Sequence, residues 1–114
     1  MTDVARLAEA QLDAYNRADL DAFCACYHPN VRVLDEEGAE VSRGIDAFRE
    51  RYAALFARGG FGGRVETRLV LGSHCVDDEH WWRLDPETGE RMEGRVLVRY
   101  RERDGLLAEA QFLR

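Results

Sequence analysis

Several side chains in this 114-residue chain stand where proton-transfer chemistry would need them. Asp35 closes the short apolar run Val31-Arg32-Val33-Leu34. A carboxylate at the rim of an apolar cavity is desolvated, which raises its pKa and suits it to take a proton from carbon beside a carbonyl. The same position also reads as a solvated strand end leading into the acidic turn Glu36-Glu37-Gly38. Gln11 falls in the middle of an otherwise apolar helical stripe. A buried amide must find partners there, either a substrate oxygen to polarise or the backbone and Tyr27. Tyr15, Tyr27 and Tyr52 fall on the inner stripes of three helical segments, with Phe56 on the third. These rings read as ligand-binding walls or as plain core with satisfied hydroxyls. In Glu79-His80-Trp81-Trp82, strand alternation puts His80 and Trp82 on one face and Glu79 and Trp81 on the other. Leu84 continues the His80 face, so His80 and Trp82 are expected inside. His80 would then be an acid or base near neutral pH, or a structural histidine near a hairpin end.

Other patterns carry less. Cys24-x-Cys26-x-His28 fans out at helical spacing and no second ligand cluster exists, so no metal is expected. Gly59-Gly60-Phe61-Gly62-Gly63 lacks the Lys-Ser/Thr of a phosphate loop and reads as a hinge or lid at a cavity mouth, or as a connector. There is no Gly-x-Ser-x-Gly elbow, and no cofactor is expected.

The elements that must position these groups follow from periodicity. Residues 2–18 show helical spacing, with Thr2 as cap and Val4, Leu7, Ala8, Ala14, Tyr15 and Ala18 apolar. Asp19 caps a shorter helix with the stripe Leu20, Phe23, Cys24 and Tyr27, ended by Pro29. Residues 31–35 form a short strand. Gly44 opens a third helix, with Ile45, Phe48, Tyr52, Leu55 and Phe56 on one face, stopped by Gly59 and Gly60. Four strand segments follow: 64–71, with Val65, Thr67, Leu69 and Leu71 on one face; 73–84; 90–101, with Met92, Gly94, Val96, Val98 and Tyr100 on one face; and 106–113, after the hairpin signal Asp104-Gly105. Segregated helices and strands mean a single α+β domain over residues 1–114. The expected form is three N-terminal helices packed in a strongly curved, mixed but mostly antiparallel sheet, a cone whose mouth offers a small-molecule site.

Composition narrows the partners. With 22 acidic and 16 basic residues the net charge is −6, and the arginines are scattered among acids, which argues against nucleic acid. No stretch is apolar enough for a membrane span, and the N-terminus lacks a signal-peptide pattern, so the expected compartment is the cytoplasm. Three cysteines do not make a disulfide framework. Val70, Trp81, Arg83, Leu97, Arg99 and Arg101 are expected on an outer sheet face, an apolar centre with a charged rim suited to a protein interface.

Four ordered pieces carry a resemblance. They are Tyr15-Asn16-Arg17-Ala18-Asp19-Leu20-Asp21, then Phe23 through Tyr27-His28-Pro29-Asn30-Val31, then Gly44-Ile45-Asp46-Ala47-Phe48-Arg49, then Asp104-Gly105-Leu106-Leu107. Together they resemble the nuclear transport factor 2-like superfamily, in its SnoaL-like and ketosteroid-isomerase-like branch. That fold hosts isomerases, polyketide cyclases, dehydratases and binding modules. The segment from Asn16 to Tyr52 can be laid on a ketosteroid isomerase without a gap. The resemblance then implies a general base at Asp35, supporting tyrosines at Tyr27 and Tyr52, and a homodimer through the sheets. The isomerase's oxyanion tyrosine corresponds to Gln11, and its protonated acid to about Val98, so this chain departs from the steroid-isomerising pattern. Binding of a small, largely apolar carbonyl- or hydroxyl-bearing molecule is expected, with isomerase, dehydratase or cyclase chemistry at Asp35 and Gln11. The alternative is a non-catalytic ligand-binding or dimerisation module.

Overall fold

A computed structural model describes residues 2–114. Helix α1 (Asp3–Asn16) begins at Thr2, whose hydroxyl accepts a hydrogen bond from the Ala5 N–H at 3.3 Å. It buries Val4, Leu7, Ala8, Gln11, Leu12 and Ala14, an amphipathic stripe of the expected kind. Helix α2 (Leu20–Cys24) is capped by Asp19, which accepts from Ala22 N at 3.1 Å. Strand β1 (Tyr27–Leu34), strand β2 (Glu40–Arg43), helix α3 (Ile45–Arg58) and strands β3 (Gly62–Leu71), β4 (His74–Leu84), β5 (Arg91–Arg103) and β6 (Leu106–Leu113) complete the chain. The six strands form one sheet in the order β2-β1-β6-β5-β4-β3. Only the β1–β6 pair is parallel. The sheet is curved and not closed, and the helices pack on its concave side. Among the described residues no helix is long and apolar enough to cross a membrane.

The core is aromatic where α2, α3 and β1 meet. Phe23 and Phe48 stack at 5.5 Å, and Tyr27 lies 4.2 Å from Phe48, centroid to centroid. Phe48 is fully buried. Rings packed edge to face and offset in this way add to the transfer energy of their burial.

Three local expectations are corrected. Helix α2 stops at Cys24, so Tyr27 and Pro29 belong to β1; the β1–β6 ladder skips from Tyr27 to Arg32, which spares Pro29 a donor it lacks. Strand β2 is added after the Asp35 turn. A bulge between Val65 and Thr67 breaks the alternation of β3: Val65 pairs with Glu79, whereas Thr67, Leu69 and Leu71 pair with Asp78, Val76 and His74 on the opposite, outer face.

The glycine-rich segment after α3 is held rather than free. Gly63 N–H donates to Asn16 Oδ1 at 2.8 Å, and Asn16 Nδ2 donates to the Gly63 carbonyl at 3.0 Å. Phe61 is buried against Tyr15 and Phe56. Gly62 and Gly63 are already part of β3, so these residues tie the sheet edge to the end of α1.

Candidate functional site

The concave face holds a partly open cavity of about 150 Å³. Helix α1 contributes Gln11 and Tyr15, α2 Phe23, β1 Tyr27, and α3 Tyr52 and Leu55. The sheet contributes Glu79, Trp81 and Arg83 from β4, Val96 and Tyr100 from β5, and Phe112 from β6, with Arg114 beyond it. Every layer of the fold therefore supplies at least one wall.

Inside and outside on β4 are the reverse of the expectation. Glu79 and Trp81 face the cavity, while His80 and Trp82 are on the outer face, paired across the ladder with Arg95 and Glu93. Leu84 misled because it is itself an outer residue, 43% exposed. The parity is set by Cys75 and Asp77, both buried, which share the face of Glu79 and Trp81. Each tryptophan lies against a glycine directly opposite: Trp82 over Gly62 of β3, and Trp81 over Gly94 of β5. The expected outer face is corrected with it. Leu97, Arg99 and Arg101 are outside, but Trp81 and Arg83 line the cavity and Val70 pairs with Cys75 on the inner face.

Adding a Cβ at Gly94 would drive it into the Trp81 indole. Gly94→Ala should therefore push Trp81 into the cavity and cost about 1–3 kcal/mol, the usual effect of overpacking. Urea denaturation followed by tryptophan emission would show both the loss and a shifted native spectrum. An unchanged spectrum with unchanged stability would refute the packing argument.

Tyr15, Tyr27, Tyr52 and Gln11 come together at the cavity, but not all in the expected roles. Tyr27 Oη donates to Gln11 Oε1 at 3.0 Å, and Gln11 Nε2 donates to the Ala8 carbonyl at 3.1 Å. Both polar atoms of Gln11 are thus engaged, so the amide orients the Tyr27 hydroxyl. Phe56 stands one layer behind the wall, packed on Tyr15, Phe23 and Phe61.

Asp35 is not brought to the cavity. Its Oδ1 accepts from Glu37 N at 3.0 Å and Ala39 N at 2.9 Å, and its carbonyl accepts from Gly38 N. The carboxylate satisfies the backbone of the turn from β1 into β2, a standard use of Asp. His28 lies 3.6 Å from Asp104, and Cys26 donates weakly to the Ala22 carbonyl. Among the described residues no three metal-ligating side chains converge.

Glu79, expected on the outer face, lines the cavity instead. Burial, and then the charge of Asp77 two residues earlier, push its carboxyl up to about 7. Gly63 makes room for it: a Cβ there would lie 2.6 Å from Glu79 Oε1. Among the described residues its carboxyl takes no protein hydrogen bond. Its charge acts on all four tyrosines of the cavity. Burial is the main cause that raises each phenol, Tyr52 to about 12, so all four hydroxyls stay protonated near neutral pH. The only signal for Glu79 in the sequence is its spacing from Cys75 and Asp77, on a face whose direction the pairing with β3 and β5 decides.

A curved sheet folded over three helices, with a polar-aromatic cavity open at one side, defines the class as a nuclear transport factor 2-like cone. The SnoaL-like domain model matches residues 8–110, and the chain belongs to that family. A UPF0225 protein of Xanthomonas campestris pv. campestris is 33% identical over 95 residues, which cover 73% of this chain and 74% of that one. An uncharacterized cystatin-fold protein from Novosphingobium aromaticivorans superposes with a TM-score of 0.86 at 22% identity, covering 100% of this chain and 99% of that one. A Mycobacterium tuberculosis protein solved with estradiol-17β-hemisuccinate gives a TM-score of 0.86 at 12% identity, covering 98% and 93%. At these identities the two solved structures establish the fold.

Proposed function

We propose that this protein binds a small, largely apolar molecule bearing a carbonyl or hydroxyl oxygen and transfers a proton on it, with Glu79 as the acid–base group. The observation that carries this reading is a carboxyl without a protein hydrogen bond, pushed up to about 7, facing tyrosine hydroxyls in an aromatic cavity. A base poised near the working pH is the most effective one. Tyr27 spends its hydroxyl hydrogen on Gln11. Tyr15 and Tyr52 are the donors available to a substrate oxygen. In this scheme the Glu79 carboxylate takes a proton from carbon beside the carbonyl, and a phenol O–H stabilises the enolate that forms. The protonated acid then returns the proton to the same or another carbon. The role expected at Asp35 passes to Glu79, because the Asp35 oxygens cap a turn. Binding of a steroid ester in the same fold by the mycobacterial protein supports the choice of an apolar ligand. A homodimer through the outer sheet face belongs to the same proposal, with exposed Leu69, Leu71 and Leu97 as its apolar centre.

The test is hydrogen–deuterium exchange at the α-carbons of 2-tetralone, followed by NMR. The wild-type protein should accelerate exchange over buffer, with a rate that rises with pH through about 7 as Glu79 ionises. Glu79→Gln should lose about 100-fold or more of that acceleration, and Asp35→Asn should keep it. Acceleration that survives in Glu79→Gln, or that disappears in Asp35→Asn, would overturn the assignment. Saturable binding without any acceleration would make the protein a binding module.

A further inference from the structure

All 16 basic side chains of this chain are arginines. Twelve of them are ion-paired to carboxylates. Among the described residues the other four are Arg51, Arg58, Arg83 and Arg114, and all four line one outer chamber of about 360 Å³. This chamber opens onto the inner cavity, sharing Tyr52, Leu55, Arg83, Phe112 and Arg114 with it. The chain carries 22 acids and a net charge of −6, yet among the described residues no carboxylate pairs with these four guanidinium groups; Glu36 Oε1 accepts only from the backbone N–H of Arg114, at 3.0 Å. Four neighbouring like charges repel one another, and a cleft lined by one sign of charge concentrates the opposite sign.

Aromatic faces support two of these guanidinium groups. Arg83 Cζ lies 4.8 Å from the centre of the Trp81 ring, and Arg114 Cζ lies 5.3 Å from that of Phe112. Stacking fixes the planar fork while leaving its N–H donors free. The aromatic wall of the inner cavity thus continues outward into a ring of unpaired donors.

From this arrangement we infer that the ligand is an amphipathic organic anion: its apolar ring enters the tyrosine-lined cavity and its acid head, a carboxylate or phosphate, is held at the mouth by the arginines. Guanidinium recognises both heads through paired hydrogen bonds. This inference rests on the cavity-binding reading above and adds the charge and orientation of the ligand.

Isothermal titration calorimetry with 4-phenylbutyrate, 2-phenylethyl phosphate and the neutral 4-phenylbutanamide tests it. At least one anion should bind about 10-fold or more tightly than the amide, as expected for charge-assisted hydrogen bonds. The preference should shrink with added salt, and the tighter anion identifies the head group. In Arg51→Gln/Arg58→Gln, two residues that line the outer chamber and not the inner cavity, checked by its thermal melt, the preference should fall below about 3-fold while the amide affinity holds. Equal binding of amide and anions would overturn the inference and leave the cavity reading standing, as would a preference unchanged in the double variant. Binding of none of the three would defeat the cavity reading and this inference with it.

Discussion

Replacing Arg68 by Leu should cost about 3–5 kcal/mol at neutral pH, the range for stripping one partner from a buried ion pair. Asp77 is 2% exposed, and Arg68 clasps it with two hydrogen bonds, Nε to Oδ1 at 2.7 Å and Nη2 to Oδ2 at 3.0 Å. The third arm of Arg68 reaches Glu9 of α1 at 2.8 Å, so one guanidinium ties β3, β4 and α1 together. Without it the Asp77 carboxylate keeps only the Cys75 thiol, at 3.3 Å. That thiol is a weak donor, and burial followed by the Asp77 charge pushes its own pKa up to about 12. For a domain whose whole stability is about 5–15 kcal/mol, the loss is a large share. Arg68→Leu/Asp77→Leu should recover most of the loss, because a buried pair replaced by apolar groups is often neutral. Urea denaturation of the three proteins measures this; a single variant within about 1 kcal/mol of wild type would show that the pair contributes little.

Glu79→Gln should make the protein more stable above neutral pH, by about 1–3 kcal/mol at pH 8. The unfolded chain ionises Glu79 near its ordinary value of 4.5, and the folded chain only near 7. Between those values the folded state binds the extra proton. The stability associated with the neutral carboxyl is therefore complete below pH 4.5 and is lost as pH rises through 7. The glutamine variant carries no such dependence, so the gap between the two proteins should be near zero at pH 4 and full at pH 8. A pH-independent gap would mean that Glu79 is not desolvated. If the same substitution also removes proton exchange, the site trades stability for a poised base, a common arrangement in catalytic clefts.

Much of the fold was legible. Thr2 and Asp19 cap the helices they were expected to cap, because capping is a local transaction between a side chain and an N–H three residues on. Helix α3 and strands β4 to β6 follow from periodicity. Strand β2 was missed because it is a polar, mostly exposed edge with no apolar alternation to read. Tyr27 fits a helical stripe and a strand equally well over so few residues. Within the site, Gln11 and three tyrosines were legible as polar atoms on apolar stripes, and the structure brings all four to one cavity. Asp35 was expected as a base through the resemblance, whereas its spacing alone fits a solvated strand end at least as well. Nothing local distinguishes a strand-end carboxylate facing a cavity from one folded back onto its own turn.

The amino-acid sequence alone determined the order and type of most elements, the α+β fold class and the family, because helix and strand periods are written within a few neighbouring residues. Tertiary structure alone decided which face of β4 looks inward. Strand parity is settled by the register against β3 and β5, partners far along the chain, and a bulge in β3 shifts that register by one residue. The environment of Glu79 was decided in the same way. Its carboxyl is pushed up to about 7 because α1, α3, β5 and β6 close around it and remove the water that would otherwise keep it an ordinary carboxylate.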